Sequence, residues 1–512
     1  MSLPNEMMIE SLWFCAAIDI LHVRLLNKFH RELVDKSPEL QLIIQLAKDG
    51  MAPAHRASSA SIHSMLTNCT MTRRRWNALA PLDPVLSPPT AQDFNIYEFG
   101  GSILAYCTTY PGESDCVKFI SLDHPKKTVV EPVILSFKCF ELSCDPGQHL
   151  LVVVEDAATD YPVHLMSMQT GEYHHRAATR IFHNLNVAGY TSPDIATCIS
   201  GDIISFVYSL TEARAEIGVS VVNWATGAIL LSCTFIGALH TTLLSSRFLI
   251  VAFCTTTVAP DDAHLKLFDL ETPSPRDTSL VLRLPAFTQH STRRYSASYF
   301  LHGSNNAILS QRTDGTMRTG ERDIVTLFIK ATTVDSDAVV RKMLVFISRA
   351  RLLSLAFEWS QMPHHSRPKR HVLAYETWTG HGKHTRWIDI LGVRLMSHKS
   401  IYGSKCVCLA NPADMGAILP LGQEGNSTDL CVLEFNVGRD PTPSNPAEKS
   451  FLVRSTDKDG WITRELDQDV RGGLPFRVRW TQMDNAAQWQ DLFVDQEYLM
   501  ARLDEGFAIY RV

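Results

Sequence analysis

The sequence predicts a mainly β protein, built from repeated hairpins behind a short helical segment. Three observations carry this. Strand–turn units recur along residues 95 to 512 at intervals of roughly 50 residues. The strands inside them are almost continuously apolar, as in Leu150-Leu151-Val152-Val153-Val154, so both strand faces must be covered. The first fifty residues instead carry helix starts and apolar residues three and four apart.

The N-terminal helices come first. Pro4 suits the first turn of a helix, where its missing N–H costs nothing. Glu6 and Glu10 favour the N-terminal end of the helix dipole. Met8 and Leu12 share one face, as do Ile9 and Leu12. Asp19 opens a second helix whose Ile20, Leu21, Val23, Leu25 and Leu26 make it apolar nearly all round. Such a helix needs cover on more than one side. Phe29 and Leu33 line a third helix. The block exposes more apolar surface than it can bury alone, which predicts docking on a partner or packing on the rest of the chain.

Leu3-Pro4, Glu6, Met7-Met8-Ile9, Asp19-Ile20-Leu21 and Lys28-Phe29-His30-Arg31 follow one another in the order of an F-box. Residues 3 to about 36 resemble that family. Phe14-Cys15 stands where the family ends its first helix with an aromatic-leucine pair, which weakens the expected docking face. The resemblance implies an adaptor-binding surface of Leu3, Pro4, Met8, Leu12, Ile20, Leu21, Val23 and Leu26.

Helices continue beyond the motif. Ser37-Pro38 reads as a cap followed by proline at the first position, and Leu40, Ile43, Ile44 and Ala47 keep helical spacing. Ile62, Met65, Leu66 and Cys69 repeat it. Arg73-Arg74-Arg75-Trp76 closes the unit as a solvated helix end beside an anchoring tryptophan. Pro81, Pro84, Pro88 and Pro89 mark a linker. The expected organisation is a helical segment over 1–50, an extension and linker over 51–93, and a β domain over 94–512.

In the clearest β units a second strand ends in a tight turn: Met168 before Thr170-Gly171, Trp224 before Thr226-Gly227, Asp269 before Thr272-Pro273, Glu376 before Thr379-Gly380. Weaker copies end near Leu122, Ile329, Phe435 and Tyr510. Each follows an apolar strand: Ile103–Cys107, Leu150–Val154, Ile203–Tyr208, Phe248–Cys254, Ile308–Gln311, Leu352–Phe357, Cys406–Ala410 and Tyr498–Leu503. A period near 50 with two strong inner strands per unit is the signature of a β-propeller blade. The count favours eight blades, with seven the alternative. Ring closure is expected to borrow an outer strand from the segment just before residue 100. The copies lack the Gly-His and Trp-Asp marks of true WD repeats, so the likeness is one of architecture. A pair of β-sandwiches fits the even spacing less well.

Composition narrows function by exclusion. The chain has 512 residues, 20% charged, and a formal net charge of −6, so no bulk attraction to nucleic acid or membrane is implied. No secretory layout opens the chain, and the cysteines sit inside apolar runs, as Cys233 and Cys254 do. Reduced thiols in the cytoplasm or nucleus are expected. No nucleophile elbow, phosphate-cradling loop or His-Glu-x-x-His is present. Cys406 and Cys408 share one face of a strand and read as buried structural thiols. The pairs His174-His175 and His364-His365 read as surface histidines. No catalytic residue, cofactor or metal ligand is assigned.

The F-box resemblance implies a non-catalytic substrate receptor of an SCF-type cullin–RING ubiquitin ligase. It would bind the ligase adaptor, and through it a cullin, and would hold a protein substrate of unknown identity near the charged enzyme. An F-box before a divergent propeller is similar to large fungal families, particularly of mushroom-forming species. Arg367, Lys369 and Arg370 in a basic loop are the candidate target contacts. The alternatives are a propeller scaffold unrelated to ubiquitin and, further off, a propeller hydrolase.

Overall fold

The computed structural model describes residues 3–48, 51–53, 59–78, 84–86, 96–100, 102–108, 115–122, 131–157, 161–183, 194–211, 216–236, 238–253, 263–272, 278–285, 295–303, 317–319, 324–333, 339–363, 368–389, 393–394, 400–410, 429–435, 450–453, 474, 476–482, 488–495, 498–503 and 506–511. Five helices lead into seven sheets of four to six strands, with a two-stranded ribbon of Met51–Pro53 and Met317–Thr319 beside them.

Blade 1 runs Tyr97–Gly100, Ile103–Thr108, Cys116–Ser121 and Val133–Ile134. Blade 2 is Cys139–Asp145, Leu150–Glu155, Val163–Ser167 and Ile181–Phe182. Blade 3 is Asp194–Ser200, Ile203–Thr211, Glu216–Asn223 and Ala228–Ile236. Blade 4 starts with Ala238–Leu243, Phe248–Phe253, His264–Asp269 and Ser279–Arg283. Blade 5 is Tyr295–Gly303, Ile324–Thr333, Val339–Ser348 and Thr385–Asp389. Blade 6 centres on Lys405–Ala410, Asp429–Phe435 and Phe476–Gln482, and blade 7 on Asp491–Val494, Tyr498–Leu503 and Gly506–Arg511.

The apolar runs explain the ring. A strand buried on both faces sends alternate residues to opposite neighbours. Leu151 and Val153 pack towards blade 1, while Leu150, Val152 and Val154 pack towards blade 3. Seven such clusters follow one another, each shared by two adjacent blades, and the last joins blade 7 to blade 1 through Phe493, Met500, Phe99 and Leu104. The fold is therefore a closed seven-bladed β-propeller. Pro84–Leu86 supplies the outer strand of blade 7, pairing Pro84 with Tyr510 and Leu86 with Ile509. Closure thus borrows from ahead of residue 100, as expected. It draws on the stretch read as linker. Asp495 fastens the same seam, accepting from Ser102 N at 3.0 Å and Tyr498 N at 2.8 Å.

Among the described residues there is no eighth blade. Leu352–Phe357, expected as a strand, lies in a helix, Arg349–Ser360. Leu352, Leu355, Ala356 and Trp359 recur at helical spacing and are buried, and the Ser348 side chain caps the helix by accepting from Arg351 N. Thr379-Gly380, expected as a hairpin turn, ends a short helix, Tyr375–Thr379, with Gly380 at φ 61° and ψ 47°. Hairpin turns and helix C-caps both need a left-handed residue, so the same dipeptide serves either. Gly171 and Gly227, at φ 69° and 75°, do stand in hairpin turns. The false copy is an insertion within blade 5. It reaches back to blade 4, where Trp378 Nε1 donates to Arg283 O at 2.8 Å and Arg349 Nε to Leu244 O at 2.8 Å. Ile308–Gln311 lies outside the described residues.

Candidate docking surface

We label the leading helices α1 (Asn5–Trp13), α2 (Ala17–Leu26), α3 (Lys28–Lys36), α4 (Pro38–Lys48) and α5 (Ser59–Ala78). The first four share a small core of Ile20, Val34, Leu40, Ile43 and Ile44. Local chemistry sets each boundary. Pro4 leads into α1, where Met8 N donates to Pro4 O. The Asn27 side chain accepts from His30 N at 2.9 Å and so caps α3. The Ser37 hydroxyl accepts from Leu40 N at 3.3 Å and caps α4. Between α2 and α3, Arg24 forks onto Asp35 at 2.7 and 3.2 Å. That hydrogen bond lowers the Asp35 carboxyl below its usual range and raises the Arg24 guanidinium.

α4 has two apolar faces. Leu40, Ile43 and Ile44 face the helical core, whereas Leu42 and Leu46 enter the cluster between blades 6 and 7. α5 joins that cluster through Ile62, Met65, Cys69 and Trp76. Trp76 is the anchor expected from sequence. Its carbonyl accepts from Arg479 Nη1 at 3.4 Å, and Lys405 Nζ lies 5.6 Å from its ring centre. Of the arginine triplet, Arg73 turns back to donate to Gln45 O at 2.7 Å, so it ties α5 to α4 rather than only solvating a helix end.

What remains on the outside of α1–α3 is apolar. Leu3, Met7, Phe14, Ile18, Leu25, Leu26 and Phe29 are exposed, with Phe14 at 81%, Leu25 at 67% and Leu26 at 68%. No residue of α1 is buried, and only Ile20 of α2 is. Of the expected adaptor contacts, Leu3, Pro4 and Leu26 are exposed, and Met8, Leu12, Leu21 and Val23 are half-buried. Ile20 is a correction. It is fully buried at the centre of the helical core and cannot be a contact. In a helix apolar all round, sequence does not say which side the neighbours cover. The patch also includes Met7, Phe14, Ile18, Leu25 and Phe29, which were not assigned to it. The departure at Phe14-Cys15 was expected to weaken this face, yet Phe14 is its most exposed apolar side chain.

The second expected site is partly visible. Arg367 lies outside the described residues. Lys369 and Arg370 are exposed, and Arg370 starts a strand, Arg370–Leu373, that runs parallel to the outer strand of blade 4. Neither forms an ion pair among the described residues.

Other candidate chemistry resolves into structure. Cys406, Cys408 and Cys431 are buried together between blades 5 and 6. Burial pushes the Cys408 thiol up to about 12 and that of Cys406 well above its ordinary value. His174 and His175, expected as surface histidines, lie outside the strands with rings stacked 4.8 Å apart, but only His175 is exposed. His174 is buried against Gln148 O at 3.0 Å, and that burial lowers its pKa. His164 Nε2 lies 2.8 Å from a Glu155 carboxylate oxygen, with the Phe137 ring stacked on the imidazole. Among the described residues no three His, Cys, Asp or Glu side chains are grouped to hold a metal, and no helix is long and apolar enough to cross a membrane.

No protein-family model matches the chain, and no curated protein does. Among solved structures, Hsv2 of Kluyveromyces lactis is similar over 82% of this chain and 97% of its own, with 10% identity and a TM-score of 0.36. The WD40 domain of SCAP from fission yeast is similar over 80% of this chain and 82% of its own, with 11% identity and a TM-score of 0.35. The WD40 domain of Toxoplasma gondii coronin gives 83%, 94%, 9% and 0.32 for the same measures. Scores this low carry no weight of their own. The propeller assignment stands on the sheet order and the seven shared clusters.

Proposed function

We propose that the chain is the substrate-recognition subunit of an SCF-type cullin–RING ubiquitin ligase, of the kind found in the large fungal F-box families. The observation that supports this is the apolar surface of α1–α3. Seven large apolar side chains stand exposed on a block of about thirty residues that nevertheless has its own core and caps. A monomer gains nothing from such a patch, and an adaptor subunit would cover it. The block is fixed to the ring through α4, so a target held by the propeller would keep a set distance from the cullin.

On this reading the protein does no bond chemistry and works in the cytoplasm or nucleus. Its target binds the ring, with Arg367, Lys369 and Arg370 offering charge to an acidic or phosphorylated segment. The test is recovery of tagged chain from cells, followed by mixing with purified adaptor. Stoichiometric capture of the adaptor by the full chain, lost on deletion of residues 3–36, supports the receptor. A chain that retains other partners but never the adaptor is instead a propeller scaffold.

A further inference from the structure

The outer strands of a propeller are sheet edges, and an unpaired edge recruits other strands unless it is blunted. Six of the seven blades here blunt theirs. The outer strands of blades 1 and 2, Val133–Ile134 and Ile181–Phe182, have two residues each. Blade 4 is sealed by the parallel strand Arg370–Leu373. Blade 5 ends in the five residues Thr385–Asp389, where the charged Arg386 points inward and is buried. Blade 6 ends in the four residues Ser450–Val453, and blade 7 in the three residues Pro84–Leu86, which include a proline.

Blade 3 departs from this. Its outer strand, Ala228–Ile236, has nine residues, none of them charged and none of them proline. Leu231, Cys233 and Phe235 turn into the cluster shared with blade 4. Ser232 and Thr234 are exposed on the other face, and Ile229 and Ile236 are 60% and 75% exposed. A bulge at Leu230 interrupts the pairing with Val221 and Val222, which leaves Leu231–Ile236 as a regular edge. No described strand pairs with its outer side.

The chemistry of the edge points to its occupant. Antiparallel pairing about a two-fold axis sets residues of one strand against residues of the same strand, so a charge near the axis would meet its own copy. An edge with no charge along its whole length satisfies that condition, in a chain where 20% of residues are charged. Placement agrees with this. Blade 3 lies half a turn round the ring from the boundary of blades 6 and 7, where α4 and α5 attach. Joining two copies at blade 3 leaves both helical blocks uncovered at the far ends. We propose that Ala228–Ile236 pairs antiparallel with the same strand of a second copy, merging two four-stranded sheets into one across a two-fold dimer.

The test is sedimentation velocity on the full chain over a wide concentration range. It compares wild type with Thr234→Lys and Ile236→Lys, and with Ile134→Lys on the outer strand of blade 1 as control. Wild type and the control should sediment as dimers that dissociate on dilution. The two blade 3 variants should dimerise at least about 100-fold more weakly, because like charges would meet across the axis. Their circular dichroism and melting should match wild type. A second variant, Thr234→Cys, should form a covalent dimer under mild oxidation. A wild-type chain that is monomeric throughout overturns the proposal, whatever else the edge binds. So does a dimer that survives Thr234→Lys, or a dimeric Thr234→Cys chain that never cross-links.

Discussion

Replacing Leu25 and Leu26 together with alanine tests the docking surface most directly. Both lie at the end of α2 and are about two-thirds exposed, at 67% and 68%. Full burial of a leucine side chain is worth about 1.5–3 kcal/mol, so covering what is open here is worth about 1–2 kcal/mol each. Truncation to alanine removes most of that, and the pair should lose about 2–3 kcal/mol of adaptor affinity. That is roughly a 30- to 150-fold rise in Kd. The folded chain should not notice, because alanine favours helix at least as well as leucine and no core contact is lost. Calorimetric titration of the purified adaptor measures the first quantity, and a urea melt the second. Ile20→Ala is the counterpart. It empties a fully buried site, should destabilise the block by about 2–5 kcal/mol, and should weaken the adaptor only through unfolding. A double alanine variant that binds adaptor like wild type would refute the assigned surface.

Three further outcomes follow from the ring. Asp495→Ala removes the carboxylate that joins blade 7 to the Ser102 amide, and should cost about 2–4 kcal/mol in urea unfolding, whereas loss below about 0.5 kcal/mol would deny the seam its importance. Gly218→Ala places a Cβ 1.7 Å from the ring of Tyr208, its cross-strand partner, and should cost about 1–3 kcal/mol; most of that cost should vanish in a Tyr208→Ala background, and equal costs in both backgrounds would refute the clash. Burial raises the Cys408 thiol to about 12 against 9.0 for an ordinary thiol, so unfolding releases a proton between those values. Stability from this group is complete below pH 9 and falls above it, at about 1.4 kcal/mol per pH unit at most, and Cys408→Ser should flatten that decline in urea melts taken at rising pH.

The inner strands were legible because double-sided burial leaves no choice of residue. Phe248–Phe253 is apolar throughout and is buried throughout. The insertion in blade 5 was not legible, because Leu352–Phe357 is as short and apolar as a strand, and its helical period shows only when Trp359 is counted with it. The true third strand of blade 5, Val339–Ser348, contains Arg341-Lys342 and so breaks the run that marks its neighbours. On the helical block, the cap at Ser37 was readable. The outward face was not. Ile20 and Leu26 are equally apolar, and only the packing of α2 against α3 and α4 puts one at the centre and the other in solvent. The long edge of blade 3 was hidden for a related reason, since a strand's neighbours are fixed by the ring and not by its own letters.

The closing strand has a consequence for synthesis. Pro84–Leu86 leaves the ribosome long before Gly506–Arg511, the strand it must pair with. At ~5–20 residues per second the wait is on the order of half a minute. Through that interval blade 1 has no neighbour on one side, and Phe99 and Leu104, buried in the finished ring, stay open to water. The ring therefore closes only after the last strand emerges. A nascent chain stalled in the final blade would present the apolar face of the leading helices together with an open propeller, the form most in need of a chaperone.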